Sequence, residues 1–206
     1  MKRNIIIVDD FYPNPDIIRN TALNADYSKE DGRNWPGRDS IEEFLHTDIK
    51  TVISDIVGTP VKTSPNNKCG HFRMTKEHEK GKQHIHFDPN PNLIWAGVLY
   101  LTPNIPKNSG TKFWKHKEYG WEQSPDIEEA KKRGINGFDD MLNFFNTEGN
   151  DESKWDEVLN VTPKYNKLIL FNPWLFHSGG TPFGKYNHDC RLVQLFFFHD
   201  LFESER

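Results

Sequence analysis

Long apolar runs are missing from this chain. The stretch Ile5 to Val8 in MKRNIIIVDD is far too short for a signal-peptide core, and no segment reaches the length that crosses a bilayer. A membrane partner is therefore not expected, and a cytoplasmic protein is. Cysteine is scarce: Cys69 and Cys190 alone cannot build a disulfide framework, and both read as free thiols in or near strands. An excess of positive charge is absent too. With 26 Lys and Arg against 30 Asp and Glu, the formal net charge of −4 disfavours a general phosphate-backbone binder, so nucleic acid is not an expected partner. No repeat or low-complexity linker divides the 206 residues, and 1–206 is expected to be a single domain with its own core.

What is present changes character along the chain. Residues 1–60 read as a strand, Ile5 to Val8, followed by two helices. Asn14, Pro15 and Asp16 supply an N-cap, a proline at the first helical position and an acidic first turn, and this helix runs to about Asn24. For the second helix, Ser40 and Glu43 match a capping box, and Ile41, Phe44, Leu45, Ile49, Val52, Ile53 and Ile56 recur at helical spacing. Gly58 stops it before Pro60. Over residues 69–200 the pattern switches to short β-type runs: HFRMT, QHIHFD, LIWAGVLYL, TKFW, NKLILF, LFHSGG and CRLVQLFFFHD. Many short strands without a βα rhythm predict a mainly β fold with N-terminal helices, a jelly roll or cupin-like barrel. Residues 115–160 interrupt it as a polar, partly helical insert, with helix starts at Ser124-Pro125-Asp126 and Phe138. A segment of that size between core strands reads as a lid or binding loop.

The stretch QHIHFDPN places His84, His86 and Asp88 at every second position. On a strand they share one face, where they either form the wet side of an antiparallel sheet or converge on a metal ion. His177 ends the apolar run LILFNPWLFHSGG, as a satisfied core histidine or as a further ligand. Arg191 opens RLVQLFFF, and a guanidinium in such a strand needs an anionic partner, an acidic side chain or a ligand.

Taken in order, H-x-D on one strand, a distant histidine and a following arginine resemble the 2-oxoglutarate and Fe(II)-dependent oxygenases, particularly the branch related to prolyl hydroxylases. The resemblance covers roughly Cys69 to Asp200, and IIIVDDFYPNPDIIRNTAL resembles the opening of small bacterial and phage members with unassigned substrates. It implies a double-stranded β-helix with His86, Asp88 and His177 as Fe(II) ligands and Arg191 as the anchor for the distal carboxylate of 2-oxoglutarate. GVLYLTP is similar to the strand whose tyrosine, here Tyr100, reaches that carboxylate. The implied reaction hydroxylates a small-molecule or peptidyl substrate with O₂ and converts 2-oxoglutarate to succinate and CO₂. Lys185, in a glycine-rich loop, is the weaker alternative anchor. His84 is expected beside the site rather than on the metal, and Arg73, Met74, Trp95, Trp114 and Asn172 are candidate lining residues. Two rival classes remain: a zinc protein using Cys69, His71, His78 and His84, and a non-catalytic cupin-like binding module.

Overall fold

The alternation in RLVQLFFFHD organises the molecule. Val193, Leu195 and Phe197 pack into one hydrophobic cluster, while Leu192, Phe196 and Phe198 pack into another, because successive strand side chains point to opposite faces. A strand buried on both faces must lie centrally, with layers on either side. The computed structural model describes residues 4–28, 34–64, 68–82 and 84–202. Gln83 of the QHIHFDPN stretch lies outside the described residues.

In chain order the elements are β1 (Ile5–Val8), α1 (Pro15–Asn24), β2 (Arg38–Asp39), α2 (Ile49–Val57), β3 (Val61–Lys62), β4 (Phe72–Thr75) and β5 (Leu93–Tyr100). There follow β6 (Thr111–His116), α3 (Ile127–Lys131), α4 (Phe138–Glu148), β7 (Trp155–Val161), β8 (Leu168–Phe171), β9 (His177–Ser178) and β10 (Arg191–Asp200). The larger sheet runs β1-β8-β5-β10-β4-β2, with β3 also paired to β10, and the smaller one runs β7-β6-β9. Every pairing is antiparallel.

Leu168, Leu170, Leu192, Phe196 and Phe198 of the large sheet pack against Ala22 of α1 and Ile49 and Ile53 of α2. Ala96, Tyr100, Ile169, Phe171, Val193 and Leu195 face the small sheet and meet Phe113 and Val161. Burying one such side chain as fully as Phe196 contributes about 1.5–3 kcal/mol, so this double-sided core dominates the stability of the large sheet. The mainly antiparallel architecture with few helices is the expected jelly roll.

Several local expectations match their elements, among them β1, α1, β4 and the start of α3, where the Asp126 carboxylate accepts the Glu129 N–H at 2.8 Å. The second helix does not begin at Ser40. The Ser40 hydroxyl oxygen accepts the Phe72 N–H at 3.0 Å and its backbone N–H donates to the Phe72 carbonyl, so the cap-like residue closes a sheet edge instead. Ile41 is 63% exposed, Phe44 and Leu45 pack on the core from non-helical backbone, and α2 starts only at Ile49. Gly58 does end it, at φ 79°. Two further departures concern strands: His84 to Asp88 forms no strand and bridges only through His86, and the end of the polar insert belongs to β7.

Candidate metal centre and cavity

His86 reaches the site because its neighbours point the other way. Ile85 and Phe87 are buried in an aromatic cluster with Trp114, Phe145, Trp155 and Phe176, so the alternation turns His84, His86 and Asp88 to the opposite side. His86 and His177 then exchange both backbone hydrogen bonds, at 3.0 and 2.8 Å, which sets their side chains opposite one another with ring centroids 4.3 Å apart. Asp88 is fixed by its N–H donating to the Pro173 carbonyl at 2.8 Å.

The tautomers follow from the partners. Nδ1 of His86 lies 3.0 Å from the His84 carbonyl and Nδ1 of His177 lies 2.9 Å from the Leu175 carbonyl. A carbonyl only accepts, so each Nδ1 carries the proton and each Nε2 offers a lone pair. These Nε2 atoms lie 3.9 and 3.7 Å from the two Asp88 carboxylate oxygens, too far for direct hydrogen bonds. One ligand atom from each of the three residues lies within 4.8 Å of the others, and among the described residues this is the one such His/Cys/Asp/Glu group. Burial holds the His86 imidazole well below its ordinary pKa, His177 adding to the effect, so His86 stays in the neutral form that ligates. Burial also raises the Asp88 carboxyl, against the pull of His177 and Arg73. A cation among the three relieves that penalty. Two neutral imidazoles and one carboxylate, with the rest of the coordination sphere facing a cavity, fit an open-sided Fe(II) site better than a closed tetrahedral zinc site.

That cavity, of about 1050 Å³, lies between the two sheets. Arg73 and Thr75 from β4, Ala96 and Val98 from β5, Phe171 from β8 and Arg191 from β10 line one side. Thr111 and Lys112 from β6 and His177 and Ser178 from β9 line the other. Arg191 is 8% exposed, its Nε is 3.5 Å from the Ser109 carbonyl, and its guanidinium stands 5.9 Å from the Tyr100 ring centre. No carboxylate pairs with it among the described residues. Burial works against its charge and lowers its pKa, yet a guanidinium keeps its proton. Gly179 faces this group: a Cβ there would sit 3.7 Å from Arg191 Nη2.

The remaining sequence candidates divide. Tyr100 is fully buried behind the cavity wall, its hydroxyl 2.8 Å from Thr111 Oγ1, so Thr111 presents the surface at that point. Lys185 is exposed, with Nζ 3.9 Å from Glu77, and does not line the cavity. His84 lines the rim and pairs with Glu152 at 3.2 Å. Arg73 lines the cavity, whereas Met74 turns into the helix-side core. Trp114 lies behind the site and donates from Nε1 to Ser178 Oγ at 2.9 Å, and Trp95 and Asn172 are not among the lining residues. The zinc candidates are not gathered: the Cys69 sulfur accepts the Phe197 N–H, His71 Nδ1 meets the Ser40 carbonyl, and His78 is exposed. Sequence reasoning missed Trp35, whose ring packs at a tilt against His86 with centroids 3.7 Å apart, and Asp39, Lys68 and Glu79 on the cavity wall. Trp35, Asp39 and Lys68 lie on loops or a short edge well upstream of the H-x-D run, and Glu79, seven residues before His86, sits at the end of a turn; no local pattern announces any of them.

The insert does not cover the cavity. Of residues 115–160 only Glu152 lines it, while Ala130, Ile135, Met141, Phe145 and Trp155 wrap Ile85 and Phe87 from behind. Its contact with the proposed ligand segment includes the Ile85 N–H donating to the Gly149 carbonyl at 3.0 Å. A Cβ on Gly149 would overlap the Ile85 carbonyl oxygen. Gly149→Ala is therefore expected to cost about 1–3 kcal/mol of stability through overpacking and to weaken metal uptake with it. Thermal melts with and without metal check this, and an unchanged melt would remove the buttress role.

A family model described as a family of unknown function, DUF6445, matches residues 1–189. No curated protein matches the chain. Among solved structures, the prolyl hydroxylase from Trichoplax adhaerens, in complex with a hypoxia inducible factor oxygen degradation domain peptide fragment, superposes with a TM-score of 0.57 at 11% identity, covering 96% of this chain and 84% of its own. HygX from Streptomyces hygroscopicus, with nickel and 2-oxoglutarate bound, gives 0.57 at 13% identity over 99% of this chain and 85% of its own. A prolyl-4-hydroxylase from Pseudomonas putida gives 0.50 at 12% over 96% and 92%. At such identities the likeness is one of fold, the double-stranded β-helix.

Proposed function

We propose that this chain, which belongs to the DUF6445 family, is a single-domain Fe(II)- and 2-oxoglutarate-dependent oxygenase spanning residues 1–206. The observation that carries this reading is the meeting, in one cavity, of His86, Asp88 and His177 with a buried arginine that has no acidic partner among the described residues. Solved structures of the same fold that bind 2-oxoglutarate or are prolyl hydroxylases support it.

In this reading the two Nε2 atoms and the Asp88 carboxylate hold Fe(II), which when bound supplies the activation of O₂. The backbone carbonyls of His84 and Leu175 keep both imidazoles in the ligating tautomer. Arg191 pairs with the C5 carboxylate of 2-oxoglutarate, a charge-assisted pair in a water-poor corner. Gly179 leaves the room for that carboxylate, and Tyr100 holds Thr111 in place beside it. The substrate, a small molecule or a peptidyl residue, enters from the open rim between Trp35, Lys80 and His84.

The test is the stoichiometry of the purified chain followed by turnover. Iron and 2-oxoglutarate bound together, with succinate released under air, is the expected outcome. Tightly held zinc without cosubstrate would favour the zinc protein, and binding of neither would favour a barrel without chemistry.

A further inference from the structure

Arg73 and Arg191 occupy the same face of the large sheet. In the β10–β4 register Arg191 pairs with Thr75 and Val193 with Arg73, so the two guanidiniums stand diagonally across one strand pair. One 2-oxoglutarate needs one such anchor. The second arginine is built differently: its Nε and Nη2 donate to the two carboxylate oxygens of Asp39, at 2.6 and 3.1 Å, across the β2–β4 pair. Lys68 also bonds Asp39. Among the described residues, Arg73 and Lys68 thus bring two positive charges to one buried carboxylate.

The fork has spare donors. A guanidinium carries five N–H groups, Asp39 takes two of them, and Nη1 has no hydrogen-bond partner among the described residues. The group also lies in a gradient of exposure: Lys68 is 53% exposed, Arg73 18% and Asp39 2%, so the cluster leads inward from the rim. Arg73 lines the same cavity as His86 and Asp88, whereas Arg191 lies deeper, beside Ser109 and Tyr100. An anion entering from the rim therefore meets Arg73 before it reaches the donor set.

Resting on the oxygenase reading, we propose that Arg73, oriented by Asp39 and Lys68, binds a carboxylate of the primary substrate, and that the substrate is a carboxylic acid oriented by that group toward the His86, Asp88 and His177 centre. Asp39 is the positioning residue: it holds Nε and Nη2 and leaves Nη1 for the substrate carboxylate.

The experiment uses the full chain loaded with Ni(II) and 2-oxoglutarate and titrates matched probes, N-acetyl-L-amino acids against the corresponding N-acetyl-L-amino-acid amides, by calorimetry. At least one acid should bind wild type roughly tenfold or more tightly than its amide. Arg73→Lys keeps a charge on Asp39 but spends its single ammonium there, and should erase that preference while 2-oxoglutarate binds within about threefold of wild type. The double variant Asp39→Asn with Arg73→Gln removes both charges together, avoids stranding a buried carboxylate, and should lose the preference equally. Absence of any acid preference in wild type, or its survival in both variants, would overturn the proposal. So would a loss of 2-oxoglutarate affinity in Arg73→Lys as large as its loss of probe affinity, because Arg73 would then serve the cosubstrate. If wild type took up neither Ni(II) nor 2-oxoglutarate, the oxygenase reading would fall, and the acid–amide comparison on the metal-free chain would still decide whether Arg73 binds carboxylates.

Discussion

Asp88→Ala is expected to reduce Fe(II) binding by more than about 100-fold, and His86→Ala and His177→Ala to do the same. Even partners that only orient a ligand typically cost 10–100-fold in metal affinity, and in the proposed centre these three residues would supply the donor atoms themselves. Loss of Asp88 is the harshest case, because it removes the one anionic group of the three, whose two oxygens lie 3.9 and 3.7 Å from the Nε2 atoms of His86 and His177. His84→Ala should keep most of the iron, since its side chain turns to Glu152 and only its backbone carbonyl serves His86. Anaerobic equilibrium dialysis with iron quantified in folded protein measures all four. Stoichiometric iron in His177→Ala would remove β9 from the centre and with it the assignment.

Arg191→Ala should bind iron nearly as wild type does but require far more 2-oxoglutarate. Leaving a buried charge unpaired typically costs about 3–5 kcal/mol, or roughly a hundred- to several-thousand-fold in affinity. Tyr100→Phe removes a neutral hydrogen bond to Thr111 rather than a direct contact with the cavity, so about 0.5–1.5 kcal/mol is expected. Lys185→Ala should be silent, its ammonium standing out toward Glu77. Succinate release against 2-oxoglutarate concentration separates the three. An Arg191→Ala curve that overlays wild type, beside a weakened Lys185→Ala, would transfer the anchor to the loop.

The grouping of His86 and Asp88 was visible in the sequence because period-two alternation survives even where regular pairing does not: both reach the same cluster although only His86 forms a β-bridge. The central strand was equally legible, since RLVQLFFFHD is apolar on both faces. What misled was chemistry used for another purpose. Ser40 and Glu43 carry the letters of a capping box, but the serine hydroxyl was claimed by Phe72 across a sheet edge. The insert looked like a lid because its polar residues dominate by number, yet Phe145, Trp155 and Met141 are the residues that decide where it packs. β7 escaped notice because Asp156 to Leu159 face solvent and hide the strand's inward ends, Trp155 and Val161. The Asp39–Arg73 pair joins positions distant along the chain, and no spacing rule reaches that far.

An ion coordinated by His86, Asp88 and His177 would act as a cross-link, tying two segments whose intervening chain contains the whole insert. Closing so long a loop carries an entropic cost that grows only slowly with its length, and the packed aromatics around Ile85 and Phe87 already meet part of it. Metal occupancy and docking of the insert are therefore linked equilibria: each populates the conformation the other needs, and an ion that binds the folded form alone shifts the folding balance by mass action. Apo protein would loosen first behind its binding site, on the face turned away from the ligand.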